Sequence, residues 1–96
     1  MSNMKAEPLL QERRVLAEDS FVELMVWLVP TPVPGSAHAL KYRLALVVKG
    51  TCVLRYDNET GKGDHKHVEG VEVPYTFISP ARLLEDFWKD VELWRS

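Results

Sequence analysis

One cysteine stands in the whole chain, Cys52, so no disulfide can close within it. Its apolar neighbours on a strand-like stretch predict a small buried hydrophobe rather than a reactive thiol. Long apolar runs are missing too. The longest, Leu24 to Val29, falls far short of a membrane-spanning helix, which needs about 20 residues. Met1 to Leu10 lacks the basic region and apolar stretch of a secretory signal. The expectation is a cytoplasmic protein with no membrane contact. Internal repeats and low-complexity tracts are likewise absent, which argues against a solenoid or a disordered tail.

What remains is the composition of a folded soluble domain, with 46% hydrophobic and 27% charged residues. At 96 residues the chain has room for a single domain, 1–96, around one core. The formal charge of −2 is unevenly placed. Residues 1–40 carry −2 and residues 68–96 carry −3, while Lys41 to His67 carry +3. A polyanion therefore has one segment on which to dock, although the excess is smaller than in most nucleic-acid binders. Lys41, Arg43, Arg55 and Lys66 are the candidate RNA-binding cations.

Strand patterns come first along the chain and a helix last. Arg14 to Ala17 and Phe21 to Val29 flank the polar triplet Glu18-Asp19-Ser20, predicting a hairpin. The prolines of 30–35 then prevent both helix and central strand, giving an extended connection. Lys41 to Val48 alternates, with Tyr42, Leu44, Leu46 and Val48 on one face. Lys49-Gly50 is the predicted turn into an antiparallel return over Thr51 to Tyr56. Val71 to Phe77 alternates as well, and Pro74 marks it as an edge strand. At the C-terminus Ser79 caps, Pro80 opens, and Leu83, Leu84, Phe87, Trp88, Val91 and Trp94 recur at helical spacing. The expected fold is α+β: an antiparallel sheet of about five strands within 14–77, with a C-terminal helix, 79–95, packed on one face.

Between the last two strands lies the densest polar segment. Arg55 to His67 holds two of the three histidines, four acid or amide side chains and two glycines. It reads as a surface loop, where functional side chains concentrate. Gly61 and Gly63 would fold it sharply and bring Asp57 and Asn58 near Asp64 and His65, so Asp57, Asn58, Gly61 and Gly63 shape the loop. Alternation then puts His65 and His67 on one face and Lys66 on the other. Two histidines together can supply a base and an acid for phosphodiester cleavage. Lys62 or Arg55 would carry the phosphate charge, and Tyr75 would assist proton transfer or else be a buried structural tyrosine. The candidate catalytic set is therefore His65, His67, Lys62, Asp64 and Tyr75, working without a cofactor. If a metal is bound, its ligands would be Asp64, His65 and His67, with Glu72 as a fourth. The competing structural reading makes Asp57, Asn58 and Asp64 turn caps and leaves the histidines exposed. His38, after the prolines, has no polar company in the sequence and is read as structural.

Lys41-Tyr42-Arg43, Arg55-Tyr56-Asp57-Asn58-Glu59, Gly61-Lys62-Gly63-Asp64-His65-Lys66-His67 and Pro74-Tyr75-Thr76-Phe77 together resemble the TumE family over nearly the whole chain. That family comprises small prokaryotic proteins assigned as toxins of toxin-antitoxin modules. The resemblance implies a toxin role and a helix-turn-helix antitoxin as protein partner. It leaves the molecular target open, and with it a homo-oligomeric state. Three activities stay in view: RNA binding and cleavage by histidine acid-base chemistry, a non-catalytic toxin blocking a protein through the aromatic helix stripe, and a metal-dependent nuclease or nucleotidyl enzyme.

Overall fold

Alternating apolar residues on consecutive strands build the core of this computed structural model, which describes residues 6–59 and 61–95. The elements are β1 (Glu7–Ala17), β2 (Ser20–Leu28), β3 (Leu40–Val48), β4 (Thr51–Glu59), β5 (Gly63–Val68), β6 (Val71–Pro74) and α1 (Pro80–Arg95). The strands form one sheet in chain order, each antiparallel to the next. The fold is α+β with one helix over one face of the sheet. Val22, Leu24 and Val26 of β2, Tyr42, Leu44 and Leu46 of β3, and Leu54 and Tyr56 of β4 all point to that face and are buried. Leu83, Phe87 and Val91 of α1 close over them without exposure. Ser79 caps the helix: its Oγ accepts a hydrogen bond from the Arg82 amide at 3.1 Å and its carbonyl one from the Leu83 amide at 2.9 Å.

The sheet has six strands rather than the expected five. The additional strand is β5, cut from the polar segment expected to be a loop. Its residues alternate in chemistry rather than in hydropathy, so the period of two carries no apolar signature. Similarly, β1 starts at Glu7, well before residue 14, because an edge strand with most side chains in water needs no apolar alternation. Two turns are of the kind that matches strand twist. Lys49 and Gly50 have φ of 51° and 78°, and Glu69 and Gly70 have 48° and 86°, the paired positive angles of a type I′ hairpin.

Cys52 is exposed, contrary to the sequence reading. Leu46 pairs with Leu54 but Val47 with Cys52, so Val53 is the extra residue of a bulge. That insertion breaks the alternation that would have buried Cys52 with Leu54. The described helix is not long and apolar enough to cross a membrane.

The proline-rich connection between β2 and β3 is laid against the tip of the β4–β5 hairpin. The Gly61 amide donates to the Pro34 carbonyl at 2.6 Å. A Cβ at Gly35 would come within 2.7 Å of the Gly63 backbone nitrogen, and one at Gly63 within 2.8 Å of the Gly35 carbonyl oxygen. Two glycines are thus required where two backbones touch. This contact holds the tip of the polar hairpin in place.

Candidate functional site

A hairpin centred on Gly61 places Asp57 opposite His65, Arg55 opposite His67, Asn58 opposite Asp64 and Tyr56 opposite Lys66. Alternation sorts these pairs onto the two faces of the sheet. The polar segment therefore forms two side-chain clusters back to back, and the expected catalytic residues are divided between them.

Asp64, Tyr75 and Lys66 lie on the helix side. Asp64 Oδ1 accepts from Ser36 Oγ at 2.6 Å, and Oδ2 lies 2.7 Å from His38 Nε2. The Leu40 amide donates to His38 Nδ1 at 3.2 Å, which leaves the Nε2 proton for Asp64. The His38 ring stacks on Phe77 with centroids 3.9 Å apart. Beside it, buried Asn58 donates to the Leu40 carbonyl at 2.7 Å and to Ser36 Oγ at 3.2 Å, and accepts from the Tyr42 amide at 2.9 Å. The Tyr75 hydroxyl donates to Asp86 Oδ2 at 2.6 Å, and Tyr56 donates to Asp90, to which Lys66 Nζ also lies within 3.0 Å. Burial, followed by the neighbouring carboxylates, pushes the Tyr56 and Tyr75 hydroxyls far above the usual phenol range. Both act as donors that tie the sheet to α1. Tyr42 moves in the same direction, again chiefly through burial and then through Asp64.

The helix-free face carries the other cluster. His65, 2% exposed, has Nε2 2.6 Å from Asp57 Oδ1 and Nδ1 3.1 Å from the Gly63 carbonyl oxygen. Asp57 Oδ2 is 2.9 Å from Arg55 Nε, and the same guanidinium's Nη2 is 2.8 Å from His67 Nε2. The imidazoles meet edge to face at 5.0 Å. Glu72 extends the chain, with Oε1 3.7 Å from His67 Nε2 and 3.9 Å from Lys62 Nζ. Among the described residues, four buried side-chain polar atoms lack an aligned hydrogen bond, and three are here: Arg55 Nε, Asp57 Oδ1 and His65 Nε2.

His65, His67 and Lys62 are thus brought together, with Arg55 among them. Lys41 and Arg43 join them from β3, since Arg43 faces Asp57 across the ladder. Asp64 does not join, because adjacent residues of a strand point to opposite faces, and the metal set Asp64, His65 and His67 is not assembled. Asp57 takes its place: Asp57, His65 and His67 offer ligand atoms within 4.8 Å of one another. That donor set suits a divalent ion. Yet Arg55 already bridges Asp57 and His67, so an incoming ion must displace a fixed positive charge.

Two roles escape the sequence. Spacing alone gives Asp57 only a turn-shaping part, although hairpin pairing across Gly61 finds its partner. His38 contacts Asp64, 26 positions downstream, and no local pattern reports so distant a contact. The sequence model of the family described as Toxin TumE matches residues 5–95. No curated protein and no solved structure matches the chain. With nearly the whole chain covered, this protein belongs to the TumE toxin family, as the toxin component of a toxin-antitoxin module whose partner is an antitoxin.

Proposed function

We propose that the toxin cleaves RNA on the helix-free face, with His67 as the reacting base, Arg55 as the phosphate-binding cation and Lys62 as the acid for the leaving group. The observation that carries this reading is the contact of Arg55 with His67 on a face that also presents Lys41, Arg43 and Lys62. His67 Nε2 accepts from Arg55 in the free protein. An incoming phosphate draws the guanidinium to itself, which frees that lone pair to take the proton of a ribose 2′-hydroxyl. The 2′-oxygen attacks the adjacent phosphorus, the bond to the 5′-oxygen breaks, and Lys62 protonates the departing oxygen. Arg55 remains on the phosphoryl oxygens as their charge grows. His65 is too buried to meet substrate. It positions Asp57, which in turn positions Arg55. The antitoxin, read as a helix-turn-helix protein, would act by covering this face.

The test is cleavage of end-labelled cellular RNA by the purified chain, with and without chelator, beside a folded His67→Ala variant. Removal of the base is expected to slow cleavage by about 10²-fold or more. Cleavage that persists in His67→Ala would refute the assignment. Loss on chelation, with recovery on adding a divalent ion, would instead favour the second reading, a metal-dependent nuclease on Asp57, His65 and His67. Growth arrest without any RNA cleavage would point to a binding toxin with a protein target.

A further inference from the structure

The helix-free face contains a groove of about 350 Å³ whose Met25, Trp27, Lys41 and Arg43 have no part in the cleavage chemistry. Met25 and Trp27 give it an apolar wall, and Lys41, Arg43 and Arg55 a cationic rim. Pairing between β2 and β3 sets Trp27 opposite Lys41 and Met25 opposite Arg43. Among the described residues no ring stacks on Trp27 and no carboxylate pairs with Lys41. A half-buried indole lining a groove beside an unpaired ammonium is suited to a flat heterocycle joined to an anion. The groove's volume lies near the lower bound for small-ligand sites, which suits one nucleotide and not a helical segment of protein.

Its place in the sheet also fits. Arg55 and Asp57 line the groove and belong to the histidine cluster, so the two are continuous. β2 lies three strands from β5, or roughly 14 Å at the usual strand spacing. A base in the groove therefore belongs to a neighbour of the reacting nucleotide. Such a base must be unstacked from its own strand, which a duplex does not allow.

We propose that the groove is a base-stacking subsite for single-stranded RNA, with one base against Trp27 and its phosphate at Lys41 and Arg43. This inference rests on the RNA-cleaving reading of the same face and adds strand selectivity to it.

The experiment uses the full chain with Trp88→Phe and Trp94→Phe, leaving Trp27 as the only tryptophan. A 2′-O-methyl oligonucleotide, which has no free 2′-hydroxyl to attack, is titrated against its fluorescence. Saturable quenching by the single strand is expected, at least tenfold tighter than by a duplex of the same sequence. In the otherwise unaltered chain, Trp27→Ala is expected to raise KM about tenfold while kcat moves far less. RNA cleavage with an unchanged KM in Trp27→Ala, or a duplex bound as tightly as the single strand, would overturn the subsite and leave the cleavage reading intact. Neither binding nor cleavage of any RNA by the unaltered chain would overturn both.

Discussion

The two faces of the β4–β5 hairpin are made from the same thirteen-residue segment, yet they obey different rules. On the helix side most polar groups have an aligned partner, the buried Tyr42 hydroxyl excepted: Asn58 makes three hydrogen bonds, Asp64 is held by Ser36 and His38, and Tyr56 and Tyr75 are tied to Asp90 and Asp86. On the open side the contacts of Asp57 with Arg55 Nε and His65 Nε2 are at charge-contact distance without alignment. Satisfied networks stabilise a fold, whereas unaligned charges cost stability and survive where something else requires them. Polar residues alternating along one hairpin are thus divided by register between a face that binds the helix and a face that lies open.

The largest effect should come from the helix side. Phe87 is fully buried against Tyr56, edge to face at 5.8 Å. Its replacement by alanine should remove about 3–5 kcal/mol of stability, read from urea denaturation by circular dichroism. If helix packing were dispensable to the sheet, the loss would be below about 1 kcal/mol, and the division between the faces would fail.

A smaller effect, and one that depends on pH, is expected at Tyr75. Its hydroxyl is the main reason the Asp86 carboxyl is held below the ordinary carboxylate range, with Arg82 adding to the effect. A carboxyl depressed by folding stabilises the native state above its unfolded pKa, and that stabilisation is lost as pH falls through the folded value. Tyr75→Phe should therefore cost about 1 kcal/mol near neutrality. The gap from the unaltered chain should close in acid once Asp86 is protonated in both proteins. A gap that stayed constant to low pH would show that the hydroxyl does not act through Asp86.

Much of this arrangement can be read from the sequence where local rules decide it. Lys49-Gly50 has few alternatives as a hairpin turn, and Ser79-Pro80 ahead of Leu83, Phe87 and Val91 specifies the helix almost completely. His65 and His67 sharing a face, with Lys66 opposite, comes from alternation once the segment is known to be extended. Strand β5 itself is hidden, because His65, Lys66 and His67 give no apolar period. Cys52 departs from its expected burial because a single bulge residue, Val53, separates its register from that of Leu54. The contacts of His38 with Asp64 and Phe77 depend on how the proline-rich connection crosses the hairpin tip, where Gly35 meets Gly63. Such contacts are tertiary and leave no trace in spacing.

The smallest change in stability belongs to the open face, and it tests the division between the faces most directly. Lys41 is exposed and has no ion pair among the described residues, so Lys41→Ala should leave unfolding within about 0.5 kcal/mol of the unaltered chain. A lysine that contacts RNA phosphate, however, releases a counterion on binding. The slope of log affinity against log salt should fall in magnitude by about 0.7 for a single-stranded ligand. Measuring oligonucleotide binding at several salt concentrations, next to a urea curve, therefore separates two kinds of residue. A cation that serves the fold would shift the urea curve and leave the salt slope alone. One that serves the ligand would do the reverse, and Lys41 is expected to do so because its neighbours across the sheet are Trp27 and the groove, whereas Lys66 on the other face is already paired with Asp90.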